Sequence, residues 1–348
     1  MSSKISSDIL KSKLLSNDDL KEVHHNLQTD DLTDLMYATF LHQKLNWPML
    51  SEGWKGYQSG EYKKYIFGWF LIKTQFNPTR FISSSAKVDE DSIKKRKCFL
   101  CLKNLPKEQK GILFNNDLIV LCNPAPVFNE HFTISNVDHK PQEILPNVGK
   151  MLRVANKLNN EYTVFYNGPK CGASAPDHFH FQACPSDELI TEKDLLNNLS
   201  KFNLLVKGKD WEIRYIKIDD YLRNTIAIIS NNPILIEQIF LEIYEKLKKI
   251  SGSNDEPMMN IFALQRDKEF YFVIFPREKH RPDFYFAEGE ENMLVSPGLV
   301  DMCGMLITPL QKDFEKINHN LIKQIYNEVT LDKEKFSYLL DYLQTKKF

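Results

Sequence analysis

One segment constrains this chain more than any other: residues 167–185, NGPKCGASAPDHFHFQACP. Within it His178, His180 and Gln182 alternate with Phe179, Phe181 and Ala183. A period of two is the signature of a strand whose side chains point to opposite faces in turn. The pattern predicts that the two Phe enter a core while His178, His180 and Gln182 share the other face. A turn-forming run with Gly168, Pro169, Gly172, Ser174 and Pro176 precedes the strand. Such a loop brings backbone N–H groups close to an anion. An imidazole is a nucleophile while neutral. An amide such as Gln182 donates hydrogen bonds to phosphate oxygens but does not titrate. The competing reading is a sheet patch of hydrogen-bonded imidazoles.

The H-x-H-x-Q run, with the GASAPDHFHFQA sequence around it, resembles the histidine-triad superfamily in its nucleotidyl-transferring branch. That branch includes galactose-1-phosphate uridylyltransferase, diadenosine tetraphosphate phosphorylase and the GDP-hexose phosphorylases. Its hydrolase relatives carry H-x-H-x-H. The resemblance implies that His180 is the nucleophile, taking a nucleoside monophosphate onto its ring nitrogen. Gln182 in place of a third histidine favours transfer to a bound acceptor over hydrolysis. Ser174, Gln182 and backbone N–H groups of residues 168–175 would stabilise the charge that builds on the α-phosphate.

A C-x-x-C pair, Cys98 and Cys101, is a metal half-site or a redox pair. Its flanks do not suggest a thioredoxin-like βαβ unit. In the uridylyltransferases a pair at this place is completed by a histidine in an Asp-His segment and by the first histidine of H-x-H. The resemblance therefore implies a structural zinc held by Cys98, Cys101, His139 and His178, with His131 as the alternative third ligand. Two thiolates and two imidazoles close a tetrahedral shell and leave no open position. Cys122, Cys171 and Cys184 read as buried thiols.

Residues 65–75 read as a strand, and residues 47–62, with Gly53, Gly56 and Gly60 among aromatics, as an irregular packed loop. Residues 76–88 (FNPTRFISSSAKV) read as non-helical, either a surface loop or a phosphate-contacting arm using Arg80 and Lys87. Residues 116–124 and 131–137 predict strands, 141–158 an amphipathic helix, and 162–167 a strand. Asn167 is either a ligand contact or a turn residue before Gly168, and Gly172 lies in the expected phosphate loop. In the second half, strands at 211–218 and 225–230, a helix at 233–250 and strands at 260–265 and 269–276 repeat this order without H-x-H-x-Q. The basic run FPREKHRP offers Arg277, His280 and Arg281, as a solvated loop or as a grip on a sugar phosphate.

The expected fold is α+β: two histidine-triad-like repeats, antiparallel sheets with flanking helices. The expected divisions are residues 1–64 as a helical or irregular extension, 65–200 as the catalytic unit, 201–310 as a degenerate unit and 311–348 as a C-terminal helical segment. The 348 residues carry a formal net charge of −1, which provides no global field for nucleic acid. No stretch reads as a membrane span or signal peptide. The six cysteines read as thiols or metal ligands, so a cytoplasmic location is expected.

The expected function is a nucleotidyltransferase or phosphorylase acting on a nucleoside diphosphate sugar, with inorganic phosphate or a sugar 1-phosphate as acceptor. The chain would work as a monomeric pseudo-dimer or a homodimer. The alternatives are a nucleotide hydrolase of the same fold and a non-catalytic, zinc-stabilised nucleotide-binding module.

Overall fold

The structure, a computed structural model, describes residues 2–85 and 89–348. Helices at Asn17–Val23, Leu32–Asn46 and Pro48–Gln58 lead into the hairpin β1 (Glu61–Phe67) and β2 (Phe70–Phe76). Ten further strands follow: β3 (Gly111–Phe114), β4 (Leu118–Cys122), β5 (Phe132–Asn136), β6 (Tyr162–Asn167), β7 (His180–Pro185), β8 (Asn203–Lys207), β9 (Trp211–Ile216), β10 (Thr225–Ser230), β11 (Met259–Arg266) and β12 (Glu269–Pro276). They form one antiparallel sheet in the order β3-β4-β5-β7-β6-β11-β12-β10-β9-β8. From either outer edge inward, each half presents its strands as first, second, third, fifth, fourth. In each half one helix, Val148–Lys157 or Pro233–Ser251, joins the third strand to the fourth. The halves meet where β6 pairs with β11, Asn167 opposite Asn260.

Both faces of the sheet are covered. Val164, Tyr166, Phe179, Phe181, Ile261 and Ile274 pack with the two crossover helices. Phe165, Phe262, Leu264 and Phe275 point the other way, into a second core. That core is closed by helix His319–Val329 and by a small sheet in which β13 (Met305–Thr308) runs parallel to β2. Among the described residues no helix is long and apolar enough to cross a membrane.

The α+β architecture with flanking helices is as expected; three local expectations are not. Residues 65–75 are two strands rather than one, because Gly68 at φ 64° lets the chain reverse, and the hairpin lies outside the main sheet. Residues 48–58 are helical, opened by a proline in the first turn. The glycines there serve close packing: a Cβ on Gly53 would lie 1.9 Å from the Pro124 carbonyl oxygen. Residues 78–84 form two short helical turns, the first capped by the Asn77 side chain.

A buried carboxyl links the halves. Glu256, on the loop before β11, accepts from the Ile144 amide at 2.7 Å and from the Tyr166 hydroxyl at 2.7 Å. Burial pushes its pKa up to about 7, and those two hydrogen bonds only partly oppose the shift. A folded pKa above the unfolded value means that the folded state keeps a proton which the unfolded state releases. The associated stability is present in acid and is lost as pH rises through about 7. Glu256→Gln should therefore melt near the parent at about pH 5 and above it at about pH 8, by at most about 3 kcal/mol. Thermal melts at the two pH values check this.

Candidate active site

Residues 179–182 alternate as expected, but His178, expected on the same face, precedes β7 and lies in the cysteine cluster rather than on the cavity wall. Phe179 and Phe181 are buried in the helix-side core, and His180 and Gln182 face the other way. There they line a cavity of about 1160 Å³ together with Ser174, Asn167, Gly172, Arg80, His280 and Arg281. Segments far apart in sequence thus deliver most of the candidate residues to one space. Arg277 is an exception. Its guanidinium is buried and bonded to Asn260 and to the carbonyls of Val329, Pro297, Lys279 and His280. It braces the loop that presents His280 and Arg281, and it does not line the cavity. Lys87 lies outside the described residues.

His180 is almost fully buried, and its tautomer follows from its contacts. Nδ1 lies 2.8 Å from the His178 carbonyl oxygen, which can only accept. Nδ1 therefore carries the proton and Nε2 keeps its lone pair. Burial is the main cause that lowers its pKa, to about 4. The ring is neutral and nucleophilic across the physiological range.

Gln182 is oriented by a residue on the neighbouring strand entry. The Val127 amide donates to His131 Nδ1 at 3.4 Å, so His131 Nε2 carries the proton and donates to Gln182 Oε1 at 2.8 Å. With its oxygen engaged, the Gln182 carboxamide is left with its NH₂ as the free donor. Burial, with Arg80 nearby, lowers the His131 pKa to about 3 and keeps this a neutral contact. His131 is thus a support for Gln182 and takes no part in the cysteine cluster.

The loop before β7 is shaped where Gly172 packs against Gly298. Gly172 has φ 110°, a region that L side chains rarely adopt, and a Cβ there would lie 2.7 Å from the Gly298 Cα. Among the described residues the amides of Gly172, Ser174 and Ala175 donate to no protein acceptor. Asn167 is held rather than free: its Oδ1 accepts from Asn260 Nδ2 at 2.8 Å and from the Leu299 amide at 2.7 Å.

The cavity wall is cationic with one buried acid. Arg80 donates to the Ala125 carbonyl at 3.0 Å, and Arg281 Nε to Ser296 Oγ at 2.9 Å. His280 contacts the same Ser296 hydroxyl at 3.1 Å; burial and the flanking arginines lower its pKa to about 3. Asp301 takes the amides of Gly298 and Ile307, at 2.9 Å each. Burial raises its pKa to about 6 against these bonds and against Arg80 and Arg277. Sequence reasoning did not find Asp301, or Arg96, which also lines the cavity and bonds Asp177 at 2.5 Å. Neither has a local signal, since each gains its neighbours only through folding.

Cys98, Cys101, His139 and His178 come together, with one ligand atom from each lying within 4.8 Å of the others. His178 Nε2 donates to the Asn136 carbonyl at 2.7 Å, which leaves Nδ1 as the free lone pair. That Nδ1 lies 3.4 Å from Cys98 Sγ and 3.7 Å from Cys101 Sγ; His139 Nδ1 lies 3.2 Å from Cys101 Sγ. Tetrahedral bonds of about 2.3 Å to sulfur and 2.1 Å to nitrogen place such ligands about 3.6 Å apart. The four residues therefore fit a metal ion. Burial and the adjacent Cys98 push the Cys101 thiol up to about 11, a shift that a bound cation reverses.

A family model described as a domain of unknown function (DUF4922) matches residues 39–185, and a model described as GDPGP1-like, C-terminal domain, matches residues 253–346. A nucleotide-binding protein of Fusobacterium nucleatum is 22% identical over 141 residues, 39% of this chain and 49% of that protein. The chain thus spans about half the length of the curated relative it matches. The crystal structure of yeast Ap4A phosphorylase superposes with a TM-score of 0.56 at 16% identity, covering 87% of this chain and 95% of that one. Its complex with AMP gives 0.53 at 15% identity, covering 90% and 96%. The chain thus shares its overall fold with a solved Ap4A phosphorylase, and residues 253–346 match a GDPGP1-like C-terminal domain.

Because the loop depends on Gly172, Gly172→Ala should cost about 1–3 kcal/mol in stability from backbone strain alone. Where the loop cradles a phosphate, the same change should also weaken nucleotide binding, since the added methyl group pushes the loop away from Gly298. Denaturant melts and equilibrium nucleotide titration check the two effects.

Proposed function

We propose that the protein is a nucleotidyltransferase or phosphorylase that opens a nucleoside diphosphate sugar through a covalent nucleotidyl-His180 intermediate. One observation carries the reading: a neutral imidazole, locked by its Nδ1–H, presents a bare Nε2 to a large cavity beside an oriented carboxamide. The Nε2 lone pair attacks the α-phosphorus. The bond from that phosphorus to the bridging oxygen breaks, and the sugar 1-phosphate leaves with the electron pair. The His178 carbonyl stabilises the positive charge that develops on the ring. The Gln182 NH₂, Ser174 and the unpaired loop amides carry the negative charge on the phosphoryl oxygens. An oxygen of inorganic phosphate, or of a second sugar phosphate, then attacks the same phosphorus. The N–P bond breaks and its electrons return to Nε2, so the neutral imidazole is restored.

Arg80, Arg281 and His280 are the proposed grip on the leaving or accepting phosphate. Gln182 disfavours water as the acceptor because an amide cannot remove its proton. The Cys98, Cys101, His139 and His178 set would hold a structural zinc, which supplies no chemistry to the reaction but ties the loop to the strand that carries His180. The two five-stranded halves correspond to a catalytic unit and a degenerate one, which suits a monomeric pseudo-dimer. A cytoplasmic protein meeting soluble nucleotides fits six cysteines that form no disulfide with one another.

Phosphorus NMR with UDP-, GDP- and ADP-hexoses, with and without inorganic phosphate, tests the proposal. The expected result is phosphate-dependent release of a nucleoside diphosphate and a sugar 1-phosphate, abolished in His180→Ala. Gln182→Ala should slow the reaction by about 10²–10³, the effect of removing one charge-stabilising donor. Turnover with water alone would make the protein a hydrolase, and binding that survives His180→Ala without any turnover would make it a binding module.

A further inference from the structure

We infer that Gln142 is the positioning residue of His180, acting as a side-chain wedge that replaces one missing rung of the sheet. The inference rests on the reading of His180 as the nucleophile. β6 and β7 pair from Tyr162 opposite Pro185 to Phe165 opposite Gln182. Continued in register, the ladder would set Tyr166 against Phe181 and then Asn167 against His180. It stops short, and the Gln142 carboxamide fills the gap. Its Oε1 accepts from the His180 amide at 2.8 Å. Its Nε2 donates to the carbonyls of His180 and Asn167, both at 3.0 Å. One buried side chain thus uses its acceptor and both donors on the backbone of the two strands.

The wedge has two geometric consequences. It separates the strand ends at the point where the 168–177 loop must leave β6 and return to β7. It also grips the His180 main chain on both its N–H and its C=O, fixing the residue from which the ring projects. The ring is then completed by the bond from Nδ1 to the His178 carbonyl. A strand pair at this position would satisfy the same backbone groups but would close the fork.

Gln142 is also tied to the cysteine cluster. It lies three residues after His139, and its segment runs beside the one holding His178. The Phe179 amide donates to the Lys140 carbonyl at 2.6 Å, and the Gln142 amide to the Pro176 carbonyl at 3.2 Å. The metal-ligand set therefore reaches His180 by two routes. One is the two-residue step from His178, and the other is the segment from His139 to the Gln142 carboxamide.

The test uses the full chain with Gln142→Met, close in shape but without hydrogen bonds, and Gln142→Glu, which when protonated keeps one acceptor and one donor. Single-turnover formation of the nucleotidyl-histidine is followed by intact mass. Nucleoside monophosphate affinity, metal content and melting temperature are measured on the same samples. Gln142→Met should form the adduct about 100-fold more slowly, the scale of a misplaced reacting group. Its affinity and metal content should stay near the parent values, and Gln142→Glu should fall between. A loss of rate matched by equal losses of affinity and folded fraction overturns the inference, as does an unchanged rate. If Gln142→Met does not fold, Gln142→Glu decides on the same comparison.

An absent adduct in the parent protein defeats the nucleophile reading instead. The wedge is then judged by the ring ¹⁵N signals of His180. A single Nδ1–H tautomer in the parent that becomes a mixture in the variant supports it, and identical spectra overturn it.

Discussion

The pleat of a single strand is the constraint on which the site depends. Side chains on β7 must alternate between faces, so burying Phe179 and Phe181 commits His180 and Gln182 to the opposite face. A slip of one residue would put two aromatic rings in the cavity and two polar groups in the core. Complete burial of each ring contributes about 1.5–3 kcal/mol, enough to hold the register against that alternative. The position of the His180 imidazole is therefore a by-product of packing on the far side of the sheet.

Register alone does not make an imidazole useful. The ring must also be neutral and presented through one defined nitrogen. Burial accomplishes the first by penalising the charged form, and the His178 carbonyl accomplishes the second by claiming Nδ1. The same logic recurs at Gln182, where neutral His131 selects which end of the amide faces the cavity. At both positions a second polar group fixes which atom of the first is presented to the cavity. Arg277 shows the converse: a basic residue in a promising motif is consumed by the backbone it supports, and only its neighbours reach the cavity.

The seam between the halves has a matching role. β6 and β11 join the two five-stranded arrays, and Asn167, Asn260 and Glu256 meet there. Asn167 links both halves to the Leu299 amide, while its own carbonyl receives the Gln142 wedge. Hence the cavity draws one wall from the H-x-H-x-Q strand and another from residues 280–301 of the second half. A single repeat would lack that second wall.

Much of this was legible in the sequence, for identifiable reasons. The β7 alternation, the crossover helices and the C-x-x-C pair are local patterns whose period or spacing is set by backbone geometry. They determined the α+β class, the shared face of His180 and Gln182 and two of the four clustered metal-type ligands; family resemblance added His139, His178 and the role expected of His180. The β1–β2 hairpin was misread because one glycine at positive φ interrupts an otherwise strand-like run. The helix at Pro48–Gln58 was misread because Gly53 answers to Pro124 and Gly56 to Thr79, both remote along the chain. Gln142, Asp301 and Arg96 were silent, since a buried amide, acid or guanidinium has no period and acquires its partners only when distant strands and loops converge. The sequence by itself determined which chemistry the chain carries. Only the tertiary structure decided which of those groups are aimed at the cavity and which are consumed in holding it, because hydrogen-bond partners are distributed by three-dimensional proximity and not by distance along the chain.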